Sequence, residues 1–351
     1  MRYPPTRGAF LSAFLGLTIA LTALAGRGAQ TYIAAPAGGS ATRSSTRSAS
    51  GGVSCFDASG HTPSFVTVEP GVRLEVLDWG GHGEPLVLLT GLGDNAHVFD
   101  HFAYQFTENF HVIGITRRGF GRSSKPAWGY DVDTRARDDI RVLDNLNMRR
   151  AVFVGHSVAG DELSKLGAMY PDRVEKLVYL DAYDYGTLFT LPQPPSPEFA
   201  KADLESVERF AAASARYNVR EPNAAICNSF QVDAAGRVVA AISPPWVTQK
   251  LKAGSQQAEY DRIKAPALAI FAPLTAQTRT PAYWYLDPVQ QRIYRRNFRA
   301  IAEWQADAIG RFRTGLKNSR VVELPGANHY LFIDDEAVVV REMRRFLLGK
   351  L

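Results

Sequence analysis

The sequence predicts an α/β fold, a mostly parallel eight-stranded sheet with helices on both faces and a helical cap insertion. Three observations carry that expectation. Short continuous apolar runs recur along the chain, as buried parallel strands require. Segments with helical spacing lie between them, which is the alternation of a sheet with crossover helices. The alternation then stops between Tyr185 and about Lys264, in a stretch too long to be a structureless loop.

The elements follow in order. Phe65–Val68 and Val72–Trp79 read as an opening antiparallel pair around Pro70-Gly71. Leu86–Leu89, Val112–Ile115, Ala151–Val154, Leu177–Leu180, Ala267–Phe271 and Val321–Leu324 supply the remaining strands. Helices are expected near Asn95–Thr107, Thr134–Leu146 and Ser157–Tyr170, and over Glu336–Leu348, where Val339, Met343, Phe346 and Leu347 share one face and Asp334 or Asp335 is available as N-cap. The interrupting stretch opens with the proline-rich run Leu191–Pro197 and continues with helical pieces such as Leu204–Tyr217. Pro281–Leu316 also has helical spacing and carries Tyr283, Trp284, Tyr285, Tyr294 and Trp304, more in keeping with packing than with a substrate box.

The N-terminus has a different character. Arg2 and Arg7 precede an uncharged run from Ala9 to Ala25, and Ala23-Leu24-Ala25 offers a small-residue cleavage site. Residues 1–25 therefore read as a signal peptide or an uncleaved anchor. Residues 26–54, largely Ala, Gly, Ser and Thr, read as a flexible linker that cannot bury enough apolar surface to order itself. The expected domain is 55–351, with its cap at about 185–264. Export to the periplasm or the extracellular space follows from the leader, with membrane attachment only if the leader is kept.

Charge placement excludes one function class. The pI is about 9.1, but residues 1–50 hold five arginines and no acidic residue, so the rest of the chain is formally balanced. A nucleic-acid partner requires a basic surface on the domain itself, and none is expected. The two cysteines, Cys55 and Cys227, are either one disulfide or two separate thiols, and cannot build a metal cluster. His97 and His101 have metal-compatible spacing without Cys or Glu support, so no metal is expected. No cofactor is expected either, because Gly91-Leu92-Gly93 lacks the further glycine of a dinucleotide loop.

One local pattern carries chemistry. Gly155-His156-Ser157-Val158-Ala159-Gly160 lies where a buried strand gives way to a helix, with small residues two before and two after the serine. A serine there sits on a tight turn above the sheet, and the N–H of Val158 faces the same space with the helix N-terminus behind it. Of seven histidines, His329 alone lies in a loop just past the last strand, at the end of the sheet where Ser157 emerges. His329 is the expected base.

This order of motifs resembles the α/β-hydrolase fold family from about residue 65 to the C-terminus. The resemblance implies that Thr90-Gly91-Leu92-Gly93 is the oxyanion loop and that the N–H of Leu92 is the second donor beside Val158. It also implies that Arg117–Ser123 is the glycine-rich loop after the fourth strand, with Thr116 where aspartate is common, and that Tyr170–Val174 links into the sixth strand. In most of the family the acid follows the seventh strand, yet Ala272–Gln277 contains no carboxylate. Some lipases of this fold place it after the sixth strand, which points to Asp181, with Asp184 as the alternative acid.

The expected activity is hydrolysis of a carboxylic ester, or a related acyl bond, of a small molecule through Ser157, His329 and Asp181. Carbon–carbon bond hydrolysis or a lyase reaction on the same residues is one alternative. A non-catalytic hydrolase-like binding protein is the other. Serine at the elbow excludes reactions of this fold that need an aspartate nucleophile. Oligomeric state cannot be read from the sequence.

Overall fold

The computed structural model describes residues 55–349 apart from 56, 58, 217, 218, 276, 277 and 279. The expected signal segment and the whole of the linker lie outside the described residues.

Strands β1 (Thr62–Glu69) and β2 (Val72–Gly80) form the antiparallel opening pair, turning at Gly71 with φ of 80°. β3 (Glu84–Leu89), β4 (Phe110–Thr116), β5 (Ala151–His156) and β6 (Val174–Leu180) follow. A short antiparallel hairpin, β7 (Phe230–Val232) and β8 (Val238–Ala241), precedes β9 (Ala267–Phe271) and β10 (Ser319–Glu323). The main sheet has the order β1-β2-β4-β3-β5-β6-β9-β10. From β4 to β10 across that order every pairing is parallel. All eight strands expected from the apolar runs are present.

The period of two along each strand divides the core into two layers. Val87, Leu89, Ile113, Phe153, Leu177 and Tyr179 face one layer, where α1 (Val132–Asn145), α2 (Ala159–Met169) and α6 (Pro288–Gly315) pack. Leu86, Leu88, Val112, Val152, Val154, Val178 and Leu180 face the other, filled by Phe99, Phe102, Phe332 and the Val339, Met343 and Leu347 side of α8 (Glu336–Leu348). Near-continuous apolar strands are thus explained by helices on both faces.

Between β6 and β9 the chain adds α3 (Val207–Arg216), α4 (Asn223–Ser229), the β7–β8 hairpin and α5 (Pro245–Ala253). Val207, Phe210, Ile226, Phe230 and Val238 form a small apolar cluster of their own. Cys55 and Cys227 are joined in a disulfide across 172 positions, tying the start of the described chain to α4. The remaining helix, α7 (Leu331–Asp334), is a single turn before α8.

One local expectation is corrected, and another is met in position only. In place of a helix over 95–107 there are two short 3-10 turns, Ala96–Phe99 and Ala103–Gln105. Tertiary packing overrides helical spacing here: Phe99 and Phe102 both lie against Phe332, at ring distances of 5.0 and 5.6 Å. At the start of α8, Asp335 holds the N-cap position without a capping hydrogen bond from its side chain. Asp334 is taken by Asn328 and Arg220 instead. Among the described residues, no helix is long and apolar enough to cross a membrane.

A cross-link closing so long a loop restricts the unfolded chain strongly. Replacing both cysteines by serine is expected to lower stability by about 2–5 kcal/mol in urea unfolding; an unchanged midpoint would contradict the tie.

Candidate active site

The turn after β5 is forced by its neighbours. Ser157 has φ of 54°, a conformation that non-glycine residues rarely adopt. A Cβ on Gly155 would lie 2.9 Å from that of Ala159, and one on Gly160 would lie 2.2 Å from the carbonyl oxygen of Tyr183. Small residues are needed on both sides because the side chains of Ala159 and Leu163 pack onto Gly155 and the Tyr183 backbone passes Gly160. Ser157 N–H donates to Leu180 O at 3.2 Å, so the turn is pinned to the end of β6.

Asp181 follows β6 with φ of 43°, the same left-handed region. His329 lies in the loop after β10. Its Nε2 is 3.0 Å from Ser157 Oγ, and its Nδ1 is 2.6 Å from Asp181 Oδ2. Since the carboxylate can only accept, Nδ1 carries the proton and Nε2 is left to accept from the serine. Asp184 is placed elsewhere: its carboxylate pairs with Arg311 at 2.7 Å.

Asp181 is held by groups that sequence reading did not identify. Its Oδ1 accepts from Ala272 N–H at 2.8 Å and from the Tyr183 hydroxyl. Gln305 on α6 donates to Tyr183 OH at 2.7 Å and to Ala272 O at 3.1 Å. Burial and the neighbouring Asp181 push the Tyr183 hydroxyl well up, so it stays a donor. Tyr183 stands two residues past Asp181 and could have been suspected; Gln305 carries no local signal.

The Thr90–Gly93 loop is fixed by Arg117. Its guanidinium binds Glu162 of α2 through two bonds of 2.5 Å and donates to the carbonyls of Thr90 at 2.8 Å and Gly91 at 3.1 Å. All four groups are buried, so the charged pair is strongly directional. Leu92 and Val158 are buried, and among the described residues neither N–H donates to another backbone carbonyl. Thr116 takes up a structural duty, donating to Glu75 at 3.0 Å and accepting from Ala96 N–H at 2.9 Å.

Behind the histidine loop, His156 Nε2 donates to His329 O at 3.0 Å, and burial lowers the His156 pKa so that this ring stays neutral. Above the serine, Tyr185 OH is 3.4 Å from Ser157 Oγ, and its ring stacks on Phe189 and leans on Trp304. Ser157 is 4% exposed. A cavity of about 810 Å³ lies nearby, bordered by Arg220 and Glu221 of the insertion and by Phe102 and Phe332, but it does not include Ser157.

A strained serine, an imidazole in contact with it and a buried carboxylate behind the imidazole thus meet at one edge of a doubly covered parallel sheet. Residues 86–342 match the alpha/beta hydrolase family, and the chain belongs to it. It is 36% identical over 120 residues to the non-heme chloroperoxidase of Streptomyces lividans, covering 33% of this chain and 44% of the relative. It is 35% identical over 121 residues to the bifunctional esterase/perhydrolase DCH of Acinetobacter calcoaceticus, covering 34% and 44%. These matches span less than half of either relative. Among solved structures, E-2-(acetamidomethylene)succinate hydrolase superposes with a TM-score of 0.60 at 20% identity, over 82% of this chain and 99% of that one, a likeness of fold.

Asp161 of α2 generates a pH prediction. Burial pushes its carboxyl up to about 6, against the pull of Arg135 and of the Tyr185 N–H that it accepts at 2.8 Å. The unfolded chain titrates near the ordinary 3.9, so the folded state binds the extra proton between about pH 4 and 6. Stability contributed by this group therefore falls as pH rises through that window and levels off above it. Asp161→Asn should gain on the parent by up to about 3 kcal/mol from pH 4 to pH 7 in urea unfolding; a pH-independent difference would contradict the assignment.

Proposed function

We propose that this protein is a serine hydrolase that cleaves a carboxylic ester, or a related acyl bond, of a small molecule. The observation that carries the reading is the unbroken line of contacts from Ser157 Oγ through His329 to Asp181, at 3.0 and 2.6 Å.

In this reading His329 Nε2 removes the Ser157 proton as the oxygen attacks the carbonyl carbon. Asp181 keeps the imidazole in the required tautomer and stabilises its charged form. The Leu92 and Val158 N–H groups take the oxyanion, each contributing roughly 3–4 kcal/mol to the barrier reduction. His329 then protonates the departing alcohol, and water activated by the same base releases the acid from the acyl-enzyme. The relative named esterase/perhydrolase favours acyl chemistry on oxygen.

The insertion between β6 and β9 acts as the cap in this account. Tyr185 stands over a serine that is 4% exposed, so substrate enters when this segment moves. The protein is proposed to work outside the cytoplasm. The leader composition supports this, as does the Cys55–Cys227 disulfide, which suits an oxidising compartment.

Kinetics on a panel of acyl esters of graded chain length test the proposal. Ser157→Ala should lower turnover about a millionfold, and Asp181→Asn about 10⁴-fold. Asp184→Asn should leave turnover within a fewfold of the parent, because that carboxylate serves Arg311. Retained activity in Ser157→Ala, or a larger loss at Asp184 than at Asp181, would overturn the assignment.

A further inference from the structure

A second cluster of chemistry-bearing side chains lies away from Ser157, where the segment leading into β1 meets the turn that follows the Thr90–Gly93 loop. Asp57, His61, His97 and Asp100 each bring one donor atom within 4.8 Å of all the others. Both histidine side chains are 3% exposed, with Asp100 at 12% and Asp57 at 26%. We propose that these four residues form a structural binding site for a divalent transition-metal ion, with Zn²⁺ as the best fit.

The donor spacing carries the argument. Asp57 Oδ2 is 3.0 Å from His61 Nε2 and 3.1 Å from His97 Nδ1, and Asp100 Oδ2 is 3.3 Å from the same His97 nitrogen. Four ligands at the ~2.0–2.1 Å of Zn–N and Zn–O bonds stand about 3.3–3.4 Å apart at the corners of a tetrahedron. These three separations fall within a few tenths of an ångström of that edge, and the remaining pairs lie within 4.8 Å, a gap that small side-chain rotations close. Two imidazoles and two carboxylates also complement a dication in charge, and a four-residue N/O donor set of this kind favours Zn²⁺ over hard cations that need six or more oxygens.

The surroundings are those of a metal centre. His61 Nδ1 lies 2.9 Å from Asp100 Oδ1, the oxygen not counted above, so one ring nitrogen can face the ion while the other N–H donates to a carboxylate. Ser59 steadies both acids, its N–H on Asp57 Oδ1 at 2.9 Å and its hydroxyl on Asp100 Oδ1 at 3.1 Å. The far nitrogen of His97 is buried without a partner, so the ring is oriented by what its Nδ1 meets. The His61 and His97 rings pack edge to face at 5.0 Å, and His61 against Trp79 at 5.8 Å. An open hollow of about 540 Å³, bordered by Asp57, Ser59 and Asp100, gives an ion a way in.

With all four positions filled by protein, such an ion is structural, not catalytic. It cross-links Asp57 and His61 to the turn Ala96–Phe99, close to where the Cys55–Cys227 disulfide holds the same end of the described chain to α4. The site is independent of the hydrolase reading.

Untagged full-length chain, stripped with a chelator and titrated with Zn²⁺ alone by calorimetry, is expected to bind one equivalent with micromolar or tighter affinity and to melt several degrees higher. The Co²⁺-loaded protein should show the visible spectrum of four-coordinate cobalt. Asp57→Asn, at the exposed side of the cluster, should weaken affinity at least tenfold, with its metal-free melting temperature near that of the stripped parent to show that it folds. His61→Ala should abolish binding. Absence of a one-equivalent transition, a six-coordinate cobalt spectrum, or unchanged affinity in Asp57→Asn and His61→Ala would each overturn the proposal.

Discussion

Two non-glycine residues in left-handed conformations, at the ends of adjacent parallel strands, are the constraint on which the site depends. β5 and β6 pair in register, with Gly155 beside Tyr179 and His156 beside Leu180. The next residues, Ser157 and Asp181, both break the strand with positive φ. Strain of this kind costs on the order of 1–3 kcal/mol per residue and persists only where packing over-determines it. Here the packing comes from Gly155 against Ala159 and Gly160 against Tyr183 O. The strands therefore deliver two side chains to one edge, and a loop from β10 needs only to lay His329 between them.

The missing acid after β9 has a physical counterpart. That strand end contributes Ala272 N–H, which donates to Asp181. Leu274 N–H, two residues on, donates to the same Gln305 that supports Tyr183, at 2.6 Å. A position that would carry the acid in much of the family instead orients the Asp181 carboxylate, held on the neighbouring strand. The shift by one strand keeps the carboxylate within reach of the histidine, because parallel strands all end on the same edge.

The eight strands, the elbow turn and the position of His329 were legible because each leaves a local trace: apolar runs, small residues around a serine, a histidine past the last strand. Asp181 could be narrowed only to a choice with Asp184, since both lie in one short turn and only the direction of that turn separates them. The direction is set by Ile270 O, which accepts from Asp181 N–H at 2.8 Å. Contacts made across long stretches of chain left no trace at all. Arg117 reaches Glu162 and the carbonyls of Thr90 and Gly91 from a loop readable only as scaffold. Gln305 reaches Tyr183 from a helix readable only by its period. Spacing gave His97 and His101 a shared face, but the 3-10 turn sends His97 to Asp57, His61 and Asp100, while His101 meets Glu336 at 2.6 Å on the surface.

The central claim is that Ser157 is a nucleophile made reactive by His329. A fluorophosphonate probe followed by peptide mass mapping addresses it without knowledge of the substrate. The account predicts one adduct per chain, located on Ser157 and lost when His329 is replaced by alanine. An unlabelled parent protein, or an adduct on any other residue, would contradict it.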